Sequence, residues 1–287
     1  MSSQQSFLAR ASAGARLAAE RRASALPLAE LRRAGAAAPP ARGFRAAIAR
    51  RSGERGEREA GGQAGLIAEV KRRSPSKGDL RPDLDPAALA SAYRDGGASA
   101  ISVLTEPEHF AGSADDLRKV RAAVDLPVLR KDFVTLPYQV WEARAWGADA
   151  VLLIVAALEP AQLDDLLAEA SAAGIDALVE VHSRDEAARA SAAGAELIGV
   201  NARDLSTLTV DPGRFAEVRD ALPAAATLVA ESGIRTRADV EAAADAGADA
   251  VLVGETLVLA TDPEAAAAGL LGRERSITPG SPPTKDG

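Results

Sequence analysis

Short apolar runs alternate with alanine-rich stretches of helical length along most of the chain. Four runs open on a glycine–alanine phrase: GASAISVL at Gly97, GADAVLLI at Gly147, GAELIGV at Gly194 and GADAVLV at Gly247. Their starts lie roughly 50 residues apart, each glycine closing a helical stretch and leading into a strand-length run, as a helix C-cap does. Between them sit four more runs, LIAEVK at Leu66, PVLRK at Pro127, ALVEV at Ala177 and LVAE at Leu228. Eight strands, each followed by a helix-length segment, predict an α/β chain closing into a (β/α)8 barrel. An open doubly wound sheet is the rival, but it calls for a glycine-rich dinucleotide turn, and no G-x-G-x-x-G occurs.

The pattern divides the chain into an N-terminal helical extension and polar loop over 1–65, a barrel over 66–272 and a disordered tail over 273–287. The extension predicts helices around Phe7 to Arg22, Leu28 to Arg33 and Phe44 to Arg50, followed by the loop SGERGEREAGGQAG. The tail, with TPGSPPTKDG, is too polar and too rich in proline and glycine to fold alone.

Alternation along the strands raises a chemical question. Ile67, Glu69 and Lys71 share one face of the first strand, while Leu66, Ala68 and Val70 share the other. If the apolar set packs on the helices, Glu69 and Lys71 look into the barrel near its C-terminal mouth, where active sites of this fold sit. The same parity puts Lys131 on strand three, Glu180 on strand five, Asn201 on strand six and Glu231 on strand seven, each at or near the end of its run. One such charge is a displaced loop residue as readily as a site residue; five strands in agreement are not. Two lysines and three glutamates in one cavity form an acid–base set needing neither metal nor thiol. Gly233 and Gly254, just after strands seven and eight, stand where barrels commonly hold phosphate on backbone N–H groups.

Composition narrows the classes. The chain has 287 residues and a formal charge of −7, which argues against a nucleic-acid partner. It has no cysteine, so no disulfide or thiolate chemistry, and only His109 and His182 offer imidazole to a metal. The longest apolar run, Ala150 to Leu158, is far short of the roughly 20 residues a membrane helix needs. Lysine is scarce: of 34 basic residues only Lys71, Lys77, Lys119, Lys131 and Lys285 are lysine, so arginine serves almost wherever charge alone is wanted. His182 shares parity with Glu180 but falls past the strand end, and reads as a loop residue. The first 50 residues, rich in Arg and Ser with Glu20 and Glu30 as their only acids, have the composition of a transit peptide.

The phrases IAEVKRRSPSKG, SVLTE with Phe110 after it, PVLRKDF, ADAVLLIV, VEVH, GVNARDL, AESGI and VLVGETLV resemble, in order, the indole-3-glycerol-phosphate synthase family of tryptophan biosynthesis. The resemblance runs from about Leu28 to Val258, and AEVKRRSPSKG and GVNARDL are its most specific phrases. It implies a lyase without metal or cofactor that acts on 1-(2-carboxyphenylamino)-1-deoxyribulose 5-phosphate, closing a five-membered ring, losing carbon dioxide and then losing water. Carried onto this chain, it implies Lys131 as general acid, Glu180 as general base, and Lys71, paired with Glu69, as a second acid and anion contact. Asn201, Glu231 and Ser232 would position hydroxyls and the developing cation. Ser74, Gly233 and Gly254 would hold phosphate, Phe110 and Phe133 would wall the anthranilate ring, and Arg203 would make a polar contact at the mouth.

Three departures qualify the resemblance. Glu255 stands where some relatives have serine at the phosphate, so its carboxylate has to turn away. The loop before strand one is long. Ala11 and Ala15 replace larger apolar residues in the first helix, which predicts weak docking over the mouth. Because that helix is a family element, it is expected to stay as structure and not to act as a transit peptide. The expected partner is a small phosphorylated substrate, with no nucleic acid and no membrane. A cytoplasmic monomer is expected, association with other tryptophan-pathway enzymes being left open. The rivals are the neighbouring isomerase of the same pathway, which the lack of cysteine opposes, and a catalytically silent phosphate-binding barrel, which the full charge set opposes.

Overall fold

The computed structural model describes residues 7–49, 63–204 and 209–273. Most of the polar loop before strand one, and the tail from 274 on, lie outside the described residues.

Eight parallel strands close into a barrel: β1 (Gly65–Val70), β2 (Ala100–Leu104), β3 (Val128–Lys131), β4 (Ala150–Ile154), β5 (Asp176–Val181), β6 (Leu197–Asn201), β7 (Thr227–Glu231) and β8 (Ala250–Val253). Closure comes from β1, which pairs with β2 on one side and with β8 on the other, Gly65 opposite Ala250 and Ile67 opposite Ala100. The predicted parity holds. Ile67, Leu129, Leu152, Leu178, Val229 and Leu252 meet inside the barrel. Leu66, Ala68, Val70, Val151, Leu153 and Val179 face outward into the layer shared with the helices. The glycine–alanine phrases do what their pattern predicts; Gly147, at φ 95°, ends its helix in the left-handed conformation and turns the chain into β4.

Helices α1 (Phe7–Ala25), α2 (Leu28–Ala37) and α3 (Phe44–Ile48) precede the barrel. Phe44 and Ile48 of α3 are fully buried and join the interior cluster, plugging the N-terminal end of the barrel. The start of that plug is pinned to the strand bases: Asp149 accepts from Arg42 N at 2.8 Å and Asp176 from Arg45 N at 2.8 Å. Helix α2 runs beyond the predicted Arg33, through Gly35. A side chain at Gly35 would sit 3.1 Å from the Trp141 ring, so the glycine that weakens the helix locally is also what lets it approach α7 (Pro137–Trp146).

Helix α1 lies over the opposite end. Leu8 and Ala11 are buried with the barrel-interior cluster, and Arg22 clamps Glu142 of α7 through Nε (2.5 Å) and Nη2 (2.8 Å). The alanines expected to weaken docking are therefore the point of close approach, with the Arg22 fork adding a charged tether. The remaining helices follow the strands in barrel order: α4 (Pro86–Asp95), α5 (Pro107–Phe110), α6 (Ala114–Ala123), α8 (Pro160–Ala173), α9 (Arg184–Ala192), α10 (Arg214–Arg219), α11 (Arg237–Asp245), α12 (Glu255–Val258) and α13 (Pro263–Leu270). Among the described residues no helix is long and apolar enough to cross a membrane.

Candidate active site

The C-terminal ends of the strands surround a cavity of about 180 Å³. All fourteen residues singled out from the sequence line it: Glu69, Lys71, Ser74, Phe110, Lys131, Phe133, Glu180, Asn201, Arg203, Glu231, Ser232, Gly233, Gly254 and Glu255.

The cavity floor is ionic. Lys131 Nζ, at the end of β3, bonds Glu231 Oε2 of β7 at 2.8 Å and faces Glu69 Oε2 at 3.7 Å and Glu180 Oε2 at 3.9 Å. Lys71 Nζ takes the other oxygen of Glu69 at 2.6 Å. Burial alone lowers the pKa of Lys131, but the carboxylates of Glu231, Glu69 and Glu180 outweigh it and raise it, so the amine is charged at neutral pH. Burial likewise favours the neutral form of every carboxylate here, and the neighbours decide which of them yields. Glu69 ends below the ordinary range because Lys71 and Lys131 both face it. Glu180 also ends low, through His182, Lys131 and the Asn201 amide. Glu231 ends high: burial and the nearby Glu180 exceed what Lys131 returns, and its Oε1 has no hydrogen-bond partner. That oxygen hangs over Gly199 of β6, where a Cβ would overlap it. The strand can host Glu231 only because position 199 has no side chain.

One flank of the mouth suits an anion. Gly254 opens α12 hard against the ion pair, and a Cβ on it would come within 2.9 Å of Lys71 Nζ. After β7 the backbone turns through two left-handed residues, Ser232 (φ 67°) and Gly233 (φ 82°). Such a conformation is uncommon for serine, and backbone strain of this kind gathers at ligand sites. The Ser232 hydroxyl donates to Asn201 Oδ1 at 2.8 Å, which also accepts from Arg203 N at 3.0 Å, so Asn201 is oriented from both sides. Ser74 is buried, its hydroxyl accepting from Lys77 N at 3.2 Å. The Glu255 carboxylate does turn away, toward Lys77 Nζ at 3.8 Å.

The other flank is aromatic. Phe110 and Phe133 lie 6.3 Å apart, and Phe7 of α1 meets Phe133 edge-on at 6.1 Å, so three rings form one wall. Phe7 escapes a reading of strand ends because it sits on an alanine-rich helix; the available signal is scarcity, since the chain has only five phenylalanines. Two further residues are missed. Glu106, in the SVLTE phrase, is buried and caps α5 by accepting from the N–H groups of Glu108, His109 and Phe110. His182 follows the strand as a loop residue, as expected, and its ring contacts are not foreseen: its Nε2 lies 3.3 Å from Glu180 Oε1 and its Nδ1 lies 3.1 Å from Glu186 Oε2.

Among the described residues one group, Glu106, Glu108 and His109, is close enough to share a metal ion. Glu106 there already spends both oxygens on the α5 backbone.

Comparison with known proteins agrees with this geometry. The family model described as indole-3-glycerol phosphate synthase matches residues 8–270. Indole-3-glycerol phosphate synthases of Mycobacterium avium and Mycobacterium tuberculosis are each 54% identical over 258 residues, covering 90% of this chain and 91% of theirs. Among solved structures, a thiamine phosphate pyrophosphorylase from Pyrococcus furiosus superposes at a TM-score of 0.56 with 20% identity, over 72% of this chain and 93% of its own. An N-acetylmannosamine-6-phosphate 2-epimerase from Clostridium perfringens gives 0.52 with 19% identity, over 68% and 87%. At that identity these two speak for the barrel alone. The match to the synthases, by contrast, takes in the N-terminal helices as well as every strand of the barrel, and the chain belongs to the indole-3-glycerol phosphate synthase family, carboxy-lyases of tryptophan biosynthesis.

Proposed function

We propose that the mouth performs the family reaction on 1-(2-carboxyphenylamino)-1-deoxy-D-ribulose 5-phosphate through lysine and glutamate acid–base chemistry. The observation that carries this reading is the single ammonium of Lys131 ringed by Glu231, Glu69 and Glu180 at 2.8, 3.7 and 3.9 Å. Lys131, charged and almost enclosed, donates to the ribulose carbonyl oxygen as the ring closes. Glu180, ionised at neutral pH, faces the cation that develops on closure and accepts the proton released. An anionic substrate entering beside Lys131 loosens the lysine's hold on Glu180 and restores basicity to it. Glu231, held high and in contact with Lys131, is the partner suited to exchanging a proton with that lysine near neutral pH.

Lys71, fixed by Glu69, acts as second acid and as a contact for the phosphate, which rests on Ser74, Gly233 and Gly254 with the N–H of Glu255. Asn201 and Ser232 orient the hydroxyls. Phe110, Phe133 and Phe7 wall the anthranilate ring, with Arg203 at the rim. The sequence of bond changes is carbon–carbon ring closure, loss of carbon dioxide and loss of water. The reading takes a small phosphorylated metabolite as the partner, acting on a monomer in the cytoplasm.

The test is to add the carboxyphenylamino substrate and follow indole fluorescence for the wild type and Glu180→Gln. Product formation by the wild type, slowed by roughly 10²-fold or more in a folded Glu180→Gln, is expected for loss of an acid–base group. Near-normal turnover by that variant removes Glu180 from the role, and absence of product from the wild type points to a silent barrel.

A further inference from the structure

His182 follows β5 directly, two residues after Glu180, and its backbone is clamped. Its N–H donates to Glu186 Oε2 of α9 at 2.8 Å, and its carbonyl accepts from Arg214 Nη1 of α10 at 2.7 Å. The ring is thereby held between two carboxylates, with Nδ1 at 3.1 Å from Glu186 Oε2 and Nε2 at 3.3 Å from Glu180 Oε1. The second contact is ionic in character, because Nε2 is buried without an aligned hydrogen bond. A neutral imidazole has one N–H and one lone pair, so either tautomer would turn a lone pair on a carboxylate; only the imidazolium satisfies both sides.

Charge balance agrees. Glu231 is held high, which leaves Glu69 and Glu180 as the ionised carboxylates facing Lys71 and Lys131, and Glu186 adds a further carboxylate on the far side of the ring. An imidazolium at 182 is the third cation. It also completes a division of labour on Glu180, whose Oε2 faces Lys131 and whose Oε1 faces His182.

We propose that His182 is a positioning residue for Glu180, a fixed imidazolium that spans Glu180 and Glu186 and keeps the Glu180 carboxylate ionised and aimed at the substrate. The catalytic part of this rests on the role given to Glu180 above. The charged groups facing the ring are Glu180 from β5 and Glu186 from α9. Arg214 from α10, itself 3.6 Å from Asp211, sits on the backbone carbonyl, and Lys131 from β3 lies beyond Glu180. Burial opposes the imidazolium, but Glu180 and Glu186 together push the ring's pKa up to about 10.

The test combines pH profiles of kcat and kcat/KM for wild type, His182→Gln and His182→Lys with ring NMR of the substrate-free enzyme. The chain has two histidines, and the His182 signals are those lost in His182→Gln. The wild-type ring is expected to stay doubly protonated at pH 8 and to titrate near 10. In His182→Gln the acidic limb of kcat should move up by about one pH unit, which corresponds to about tenfold in the ionisation of Glu180. KM should change less than about threefold, since His182 does not line the cavity, and His182→Lys should bring the limb back part of the way. A wild-type ring titrating near the ordinary 6.5, or a His182→Gln enzyme with an unmoved limb and unchanged kcat, overturns the proposal. Ring NMR on Glu180→Gln separates the two ideas: the pairing predicts a lower ring pKa there whether or not that variant keeps turnover.

Discussion

The acid roles proposed for Lys131 and Lys71 require more of each position than charge alone. Arginine is as cationic as lysine, but its broad planar head presents donors in a fixed fork, whereas the ammonium is a compact charge that fits against Glu69 at Lys71 and among Glu231, Glu69 and Glu180 at Lys131. Lys131→Arg and Lys71→Arg are each expected to lose at least ~10²-fold in turnover while remaining folded by circular dichroism. Lys119, exposed on α6, is the control, and Lys119→Arg should stay within about twofold of the parent. If Lys131→Arg turns over normally, the lysine is an electrostatic fixture and not an acid. Gly199 supplies a second prediction at the same scale. A methyl at Gly199 would overlap the Glu231 carboxylate, so Gly199→Ala should displace Glu231 from Lys131. The expected result is a loss of kcat approaching ~10²-fold, the scale of a 1 Å misplacement, with a melting temperature lowered by overpacking of about 1–3 kcal/mol. Unchanged kcat would show that the position of Glu231 does not matter.

Among the elements, α1 has the most to do for its size, because it brings Phe7 to the aromatic wall while being held by small residues and one charged fork. That fork leads inward. Glu142, gripped by Arg22, also faces Arg130 Nη1 at 3.4 Å, and Arg130 binds Asp132 at 2.9 Å. Arg130 and Asp132 flank Lys131 on either side in the chain. Arg130 is 1% exposed and stacks 4.2 Å from the Trp146 ring, so β3 is locked from behind by the same helix that α1 grips. Arg22→Ala removes one side of that chain and leaves a buried carboxylate with only its weaker partner. The expected cost is about 1–2 kcal/mol in stability, together with a rise in KM as Phe7 withdraws from the wall. Kinetics combined with limited proteolysis of α1 would check this, and a variant with unchanged KM and unchanged cleavage would show that the alanine contacts suffice.

For the whole molecule, buried charge makes stability depend on pH in a definite direction. The folded-state pKa of His182 lies above its unfolded value, so its contribution is full below about pH 6.5 and is lost as pH rises through about 10. Glu69 and Glu180 are held low, so theirs is present above the ordinary carboxylate range and is lost in acid as the pH falls through their lowered values. The melting-temperature gap between the wild type and His182→Gln should therefore be widest near pH 6.5 and close by about pH 10.5; a gap constant across that range would contradict the imidazolium. A second expectation concerns metals. The proposed acid and base roles fall to lysine and glutamate, so EDTA should leave turnover unchanged, and a loss restored by zinc or magnesium would overturn that mechanism.

The local pattern of this chain determined a good deal by itself. Strand alternation is a property of neighbours, so the inward set Ile67, Glu69 and Lys71, and its counterparts at Lys131, Glu180, Asn201 and Glu231, could be read without knowing how the strands close. The glycine–alanine phrases gave the helix ends for the same reason, and the scarcity of lysine marked Lys71 and Lys131 as the positions to test. Tertiary structure decided what depends on distance across the barrel. Which carboxylate lies low and which lies high follows from burial and from neighbours brought together across the barrel: Lys71 and Lys131 at Glu69, His182, Lys131 and Asn201 at Glu180, and the adjacent Glu180 at Glu231. That Gly199 must be bare follows from Glu231 on the neighbouring strand, two residues beyond Val229, which Gly199 pairs with. Phe7 reached Phe133, and His182 reached Glu180, because a helix docked over the mouth and the backbone beside the ring was clamped by α9 and α10. Coulomb energy and steric exclusion act through space, so no periodicity within one strand could have carried that information.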